Sequence, residues 1–468
     1  MGHDIAPLIQ LKHLDLSGNA LESLDGITLL TTVKTLWLTK CRLEHIDGIE
    51  ALTDLDTVDL FNNKLASLAG LTSLSRLVTL DVSFNKLADL DGLGGLGAFK
   101  TLMVEYNKIE VVNGCTLPSR LCVLELHGNA LHTMTGMDHL EDLHTLHVAE
   151  NPHLALDHVS FPPFLKRLFA GNTRVAHVVH LRFASSSTLL VLDLTNAVKP
   201  ERPLARLVLS GLPFSIQRLH LGQNKIESIV GFAHFRDLRK LTLEYNALPS
   251  LSDIEHLTRL SALDASYNPI EKLKKTTFPP SLRELSNIRT QKPALLVSLK
   301  RRTLLYTQSN MSLRGVRFPP RLRRLNLRDN GITSLQRAVF PATLRQLDLA
   351  INPIKDMHLA TFPAALFHLI LDGNRKFTSM RRVRFPPLLR VLSMQNTGLT
   401  VLDGRTLPTF LVLLQAEASD IHTIIPSQAS CAPRHSQLGE QSAHFVARSA
   451  PPSEVDAIQC RRQSHHVA

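Results

Sequence analysis

The chain has 468 residues, of which 44% are hydrophobic, 20% charged and only 5% aromatic, with a formal net charge of +11. That balance suits a folded chain with a large aliphatic core and excludes a disordered one. The five cysteines (Cys41, Cys115, Cys122, Cys431 and Cys460) form no CxxC pair and no even framework, which excludes a disulfide-stapled scaffold, and no uncharged apolar run approaches the roughly 18 residues that span a membrane.

At the start, Met1-Gly2-His3-Asp4 shows no basic stretch followed by an apolar one, so no signal peptide is expected. Ala6 stands where a myristoylation motif needs Ser or Thr. Residues 1–150 carry 10 Lys+Arg against 20 Asp+Glu, and the remainder carries 42 against 21, so one end is acidic and the other basic.

Asn19, Cys41, Asn63, Asn85, Asn107, Asn129 and Asn151 then follow at intervals of 22 residues. Each sits in a frame L-x-x-L-x-L-x-x-N-x-L, as in Leu11, Leu14, Leu16, Asn19 and Leu21. The period-two leucines predict a short strand with one buried face, repeated once per coil to build a parallel sheet. The asparagine follows where the chain turns inward, and its amide can donate to and accept from backbone groups that the turn leaves unpaired. Cys41 reads as a small buried substitute at that position rather than a reactive thiol. Leu24-Asp25-Gly26-Ile27 and Ile46-Asp47-Gly48-Ile49 supply a glycine for a tight convex bend. Gly92-x-Gly94-x-x-Gly97 matches a dinucleotide fingerprint, but Gly92 is in register with Gly26, Gly48 and Gly70, and no helix is expected there, so it is read as part of the repeat. His127, His144 and His147 lie on adjacent coils, yet no Cys or carboxylate set is evident to complete a tetrahedral site, and no metal is expected.

Weaker copies fall near Asn172 and Asn196, and the coil from Asn196 to Asn224 stretches to 28 residues, so residues 197–218 predict a bulge or bend. Asn224, Asn246 and Asn268 resume the interval. Residues 286–317 are irregular and basic, with weak copies near Asn287 and Asn310. Asn330, Asn352, Asn374 and Asn396 restore the spacing, and Ser419 takes the asparagine position of the last coil. Later coils lead into the strand through Phe161-Pro162-Pro163, Phe318-Pro319-Pro320, Phe340-Pro341-Ala342 and similar triplets. Proline makes the residue before it extended and sits ahead of the paired strand, where a missing N–H is harmless. About nineteen coils are expected over residues 1–424, with an inner sheet of roughly 90 Å. Residues 425–468, rich in Ser, Pro, His, Gln and Ala, are expected to form a disordered tail. The first coil lacks an evident cap, which points to a truncated product or an unusual cap.

The frame resembles the leucine-rich-repeat family over residues 8–421. The early coils resemble the 22-residue repeats of the phosphatase-one regulatory subunit and of bacterial internalins. The Phe-Pro coils resemble repeats of tyrosine-kinase-like receptor kinases. The resemblance implies an α/β fold: a curved horseshoe solenoid with a parallel concave sheet of short strands and a convex side of turns and short 3-10 or helical segments. It also implies a non-catalytic protein-binding scaffold or adaptor, with a phosphatase-type subunit as one partner class. The alternative is the ligand-sensing repeat region of a receptor-kinase-like protein lacking its membrane span and kinase domain. Extracellular members close their ends with clustered cysteines, and none cluster here, so reduced thiols and a cytoplasmic setting are expected.

Residues flanking the strand leucines line the concave face of such a solenoid. One column reads Asp15, Trp37, Asp59, Asp81, Met103, Glu125 and His147, and the next Ser17, Thr39, Phe61, Ser83, Glu105 and His127. Trp37 and Phe61 among carboxylates, with Met103 as a soft apolar contact, suit the centre of an interface with a basic protein segment, although Asp in such strands is also ordinary solvated surface. The candidate partner-binding strip is Trp37, Asp59, Phe61, Asp81, Met103, Glu105 and Glu125. A secondary basic patch joins Tyr306, Arg324 and Arg328, with Arg314, Arg317, Arg321 and Arg323 beside them and Lys300-Arg301-Arg302 and Arg381-Arg382-Arg384 nearby. It suits an acidic protein segment, anionic lipid or the acidic end of a second copy, so self-association is open. No RNA-binding signature supports nucleic acid. With no P-loop, nucleophile elbow, zinc-protease helix or kinase signature, neither enzymatic activity, a cofactor nor a small-molecule substrate is expected.

Overall fold

The computed structural model describes residues 10–197, 206–270, 276–286, 311–355, 357–358, 360–381 and 383–426. Among them, eighteen short strands, from His13–Asp15 to Leu413–Gln415, form one parallel sheet. Thr35–Trp37 pairs in register with Thr57–Asp59, and that strand with Thr79–Asp81, one strand per coil. This is the stacked-coil solenoid that the repeat implies.

One coil shows how the core fills. Leu36, Leu38, Leu43, Ile46, Ile49, Leu52 and Leu55 are all buried, and Val58 starts the same series in the next coil. Each side chain stacks on its equivalents above and below, so cutting one leucine back to alanine is expected to cost about 2–5 kcal/mol. The Phe-Pro phenylalanines add a second stack, with Phe318, Phe340 and Phe362 at ring separations of 6.0 and 6.1 Å.

The convex side consists of three-residue 3-10 turns, such as Ile27–Leu29, Ile49–Ala51 and Leu71–Ser73, and of short parallel ladders such as Val111–Asn113 with Thr133–Thr135. The described residues contain no α-helix, so the helical part of the expected α/β class reduces to single 3-10 turns. A 22-residue coil leaves too few residues between strands for a stable longer helix. Gly48 opens its turn at φ 93°, and a Cβ there would stand 3.3 Å from Thr28 Cγ2. Gly92 takes the same left-handed turn at φ 95°, the repeat role expected of it.

The asparagines tie coil to coil. Asn63 Nδ2 donates to Leu60 O at 3.0 Å in its own coil and to Leu38 O at 2.8 Å in the coil before, while its Oδ1 accepts from Leu43 N at 3.1 Å. Asn85 repeats all three bonds one coil on. Cys41 keeps a thinner version, its thiol donating to Leu16 O at 3.4 Å.

Three positions differ from the expected spacing. Strand register places Thr173, Ala197 and Thr397 in the ladder, each one residue after Asn172, Asn196 and Asn396. Thr173 and Thr397 donate to Ala170 O and Met394 O, at 2.7 and 3.0 Å, the bond that asparagine makes three residues back elsewhere. The displaced asparagines take left-handed backbone at φ 54°, 52° and 51°. The cause near the C-terminal end is a coil one residue longer than its neighbours, with Leu369 opposite Leu392.

The stretched coil leaves the sheet unbroken, since Leu192 pairs with Leu219. On its convex side Arg206–Val208 pairs with Ser228–Val230. Glu284 and Leu285 pair directly with Arg324 and Leu325. Among the described residues no strand stands between them, and the sheet they form has eighteen strands. Asn287, Asn310 and residues 427–468 of the expected tail lie outside the described residues. The last described convex strand is Thr423–Ile425.

Candidate functional site

Strand pairing sets Asp15, Trp37, Asp59, Asp81, Met103, Glu125, His147 and Phe169 side by side in one column across the sheet. Two residues further along each coil come Phe61, Ser83, Glu105 and His127. The residue after those, just before the ladder position, is left-handed throughout: Lys40, Asn62, Phe84, Tyr106 and Glu150 all lie between φ 51° and 57°. That turn swings the side chain of Phe84 and of Tyr106 onto the rim of the concave face, where both are exposed.

The result is a continuous run of six rings. Centroids are 5.1 Å apart for Phe61 and Phe84, 4.5 Å for Phe84 and Tyr106, and 4.8 Å for Tyr106 and His127. The series goes on through His127 to His147 at 4.6 Å and His147 to Phe169 at 5.2 Å. Offset and edge contacts of this kind add about 0.5–1.5 kcal/mol per pair beyond area burial and hold the rings in fixed orientation. Phe61 was expected in the strip; Phe84, Tyr106 and Phe169 were not. Trp37 stands apart from the run, 36% exposed, its ring over His13 at 6.4 Å.

Carboxylates line the run. Asp59 and Asp81 each accept, through one oxygen, the backbone N–H two residues on, at 2.9 Å from Phe61 and Ser83. These aspartates therefore brace their own turns as well as charging the surface. Burial pushes the Asp81 carboxyl above the usual range, and the charge of Asp59 adds to it. Burial also raises Glu105, opposed by His127 and reinforced by Glu125. Met103 is half-buried in its column between Asp81 and Glu125.

Glu105 and Glu125 supply the carboxylates that sequence reading did not find for a metal site. Glu105 Oε1 lies 3.0 Å from His127 Nδ1, and Glu125 Oε2 lies 2.8 Å from His147 Nδ1. His144 stays outside this group, its Nδ1 at 3.1 Å from Thr145 Oγ1.

Of the basic patch, Arg324 and Arg328 are exposed and Tyr306 lies outside the described residues. Arg324 makes a long surface contact, 3.6 Å to Glu284. The basic surface is broader than expected: register places Arg167, Arg218 and Lys240 in the same column as Arg324. Acidic and basic stretches thus share one sheet, in sequence along it.

The family model described as "Leucine Rich repeats (2 copies)" matches residues 53–95. No curated protein matches the chain in sequence. Among solved structures, YopM from Yersinia enterocolitica is 22% identical, covers 90% of this chain and 85% of its own, and superposes with a TM-score of 0.60. A leucine-rich-repeat protein of Leptospira interrogans is 21% identical over 85% of this chain and 94% of its own, with a TM-score of 0.55. Repeat frame, asparagine ladder and stacked coils together define a leucine-rich-repeat fold. At such identities the likeness to those two structures is one of fold.

Proposed function

We propose that the chain is a non-catalytic adaptor that binds a protein partner on the concave sheet, along the strip from Asp59 to Phe169. The six-ring run bordered by Asp59, Asp81, Glu105 and Glu125 is the observation that carries this reading. Fixed aromatic side chains supply apolar contact area at small entropic cost, and aromatics dominate the energetic centres of protein interfaces. The carboxylates select and steer a basic segment. The partner is accordingly a protein with a Lys/Arg-rich stretch carrying an apolar anchor; a phosphatase-type subunit is the class suggested by the likeness of the early repeats. Cys41, Cys115 and Cys122 are free thiols, which suits a reducing cytoplasmic setting. No described helix is long and apolar enough to cross a membrane. Residues 1–424 act as the binding unit in this reading and residues 425–468 as a tail.

The test is retention of proteins from native extract by the intact chain beside a Phe84→Asn/Tyr106→Asn variant. Asparagine suits the left-handed backbone, as Asn62 does in the neighbouring coil. A partner held by the first and lost by the second supports the strip; identical retention by both refutes it.

A further inference from the structure

Glu105 and His127 are 22 residues apart and occupy one position on adjacent coils. Glu125 and His147 repeat that relation in the next column. A strand spacing of about 4.8 Å therefore gathers two imidazoles and two carboxylates from three consecutive coils. One ligand atom from each of the four lies within 4.8 Å of every other. His147 Nδ1 shares a hydrogen bond with Glu125. His127 Nδ1 is buried and sits 3.0 Å from Glu105 Oε1, out of line for a good hydrogen bond. A nitrogen and a carboxylate oxygen held at that distance match two corners of a coordination shell. A tetrahedral zinc ion with bonds of 2.0–2.1 Å has ligand edges of about 3.3 Å.

The surroundings favour a cation. Two half-buried carboxylates drawn together repel each other, and a divalent ion between them would remove that cost. The stacked rings of His127 and His147, closed at the two ends by Tyr106 and Phe169, fix the imidazole planes and limit water. The donor set is nitrogen and carboxylate oxygen with no sulfur, which suits zinc better than calcium or magnesium, ions that take all-oxygen shells.

We infer that Glu105, Glu125, His127 and His147 form a closed, four-ligand site for a divalent transition metal, zinc foremost. The ion would act as a strut joining three coils within the aromatic run. The site shares these four residues with the strip proposed for the partner, and zinc binding by the purified chain alone, with no partner present, tells the two readings apart.

The experiment uses the purified full chain, stripped of metal with a chelator and titrated with zinc chloride. One zinc should stay bound through gel filtration against a weak chelator and raise the melting temperature. X-ray absorption at the zinc edge should show only N/O neighbours, at about 2.0–2.1 Å. His147→Gln and Glu105→Gln should each weaken zinc binding at least about tenfold, the smallest loss caused even by groups that merely hold metal ligands. His158→Gln, at the separate His158–His180 stack, should leave it unchanged. Retention of no zinc, equal affinity in His147→Gln, or sulfur around the bound metal would each overturn the site. The absorption spectrum of the wild-type chain keeps the test decisive if a variant folds poorly.

Discussion

The ring of Tyr106 lies in the space that a side chain at residue 128 would fill: a Cβ built on Gly128 would stand 2.5 Å from Tyr106 Cδ1. Tyr106 passes over that glycine to the next coil, where its hydroxyl donates to Glu150 at 3.3 Å. Gly128 is thus the seat of the ring that joins the phenylalanine half of the run to the histidine half. Gly18, at the equivalent position, has nothing within 4 Å of its own Cβ site.

That contrast gives the first prediction. Both glycines are left-handed, at φ 69° and 75°, so alanine at either costs about 1 kcal/mol of backbone strain. Gly128→Ala should in addition unseat Tyr106. Its tyrosine fluorescence and partner affinity should change, while Gly18→Ala should show only the small stability loss. Equal behaviour of the two variants in both readouts would contradict the seat.

The ladder gives the second. Asn374 Nδ2 donates to Leu371 O at 2.7 Å and to Leu349 O at 3.0 Å. Asn374→Ala should lower stability by about 1–3 kcal/mol per buried group left unpaired. Asn396→Gly should change it by less than about 0.5 kcal/mol, because Thr397 holds the ladder and glycine tolerates φ 51°. Urea denaturation measures both; equal losses would return Asn396 to the ladder.

How far the sequence could be read follows from what each position must do. The core leucines and Asn63 or Asn85 are legible because a buried face and a buried amide leave few alternatives, and Cys41 was recognisable by spacing alone. Asn396 was misread because both it and Thr397 are polar residues able to turn the chain, and only strand register shows which faces inward. The ring run was half-hidden: Phe61 is two residues past the strand leucine, but Phe84 and Tyr106 fall in a left-handed turn position usually left to Gly or Asn, so nothing marked them as surface-forming. The Glu105–His127 and Glu125–His147 pairs were recoverable, since residues 22 apart in one column are neighbours in space.

A third prediction concerns pH. Burial holds the Asp348 carboxyl above its usual value; the N–H of Ala350 and the charges of Arg328 and His368 oppose this, and Asp372 adds to it. A raised carboxyl binds its proton more tightly in the folded chain than in the unfolded one. Its contribution to stability is therefore full below the ordinary carboxylate range, about pH 4, and is lost as pH rises through the raised value. Asp348→Asn, which keeps an acceptor for Ala350, should raise the melting temperature at neutral pH, and the gain should shrink in acid. A gain independent of pH would refute this assignment.

Binding to the acidic strip should also weaken with salt, because charges that steer a basic segment across a partly exposed face are screened over about 8–10 Å at physiological ionic strength. Affinity measured at low and high sodium chloride checks this. An affinity unaffected by salt would leave the rings without the carboxylates as recognition elements.

The central claim is that the partner sits on the ring run. The most direct measurement places a photo-crosslinking phenylalanine analogue at Phe84, 42% exposed on the concave rim, and separately at Leu29, 62% exposed on the convex side. The account expects the captured partner to crosslink from position 84 and not from position 29. Crosslinking from 29, with none from 84, would contradict it.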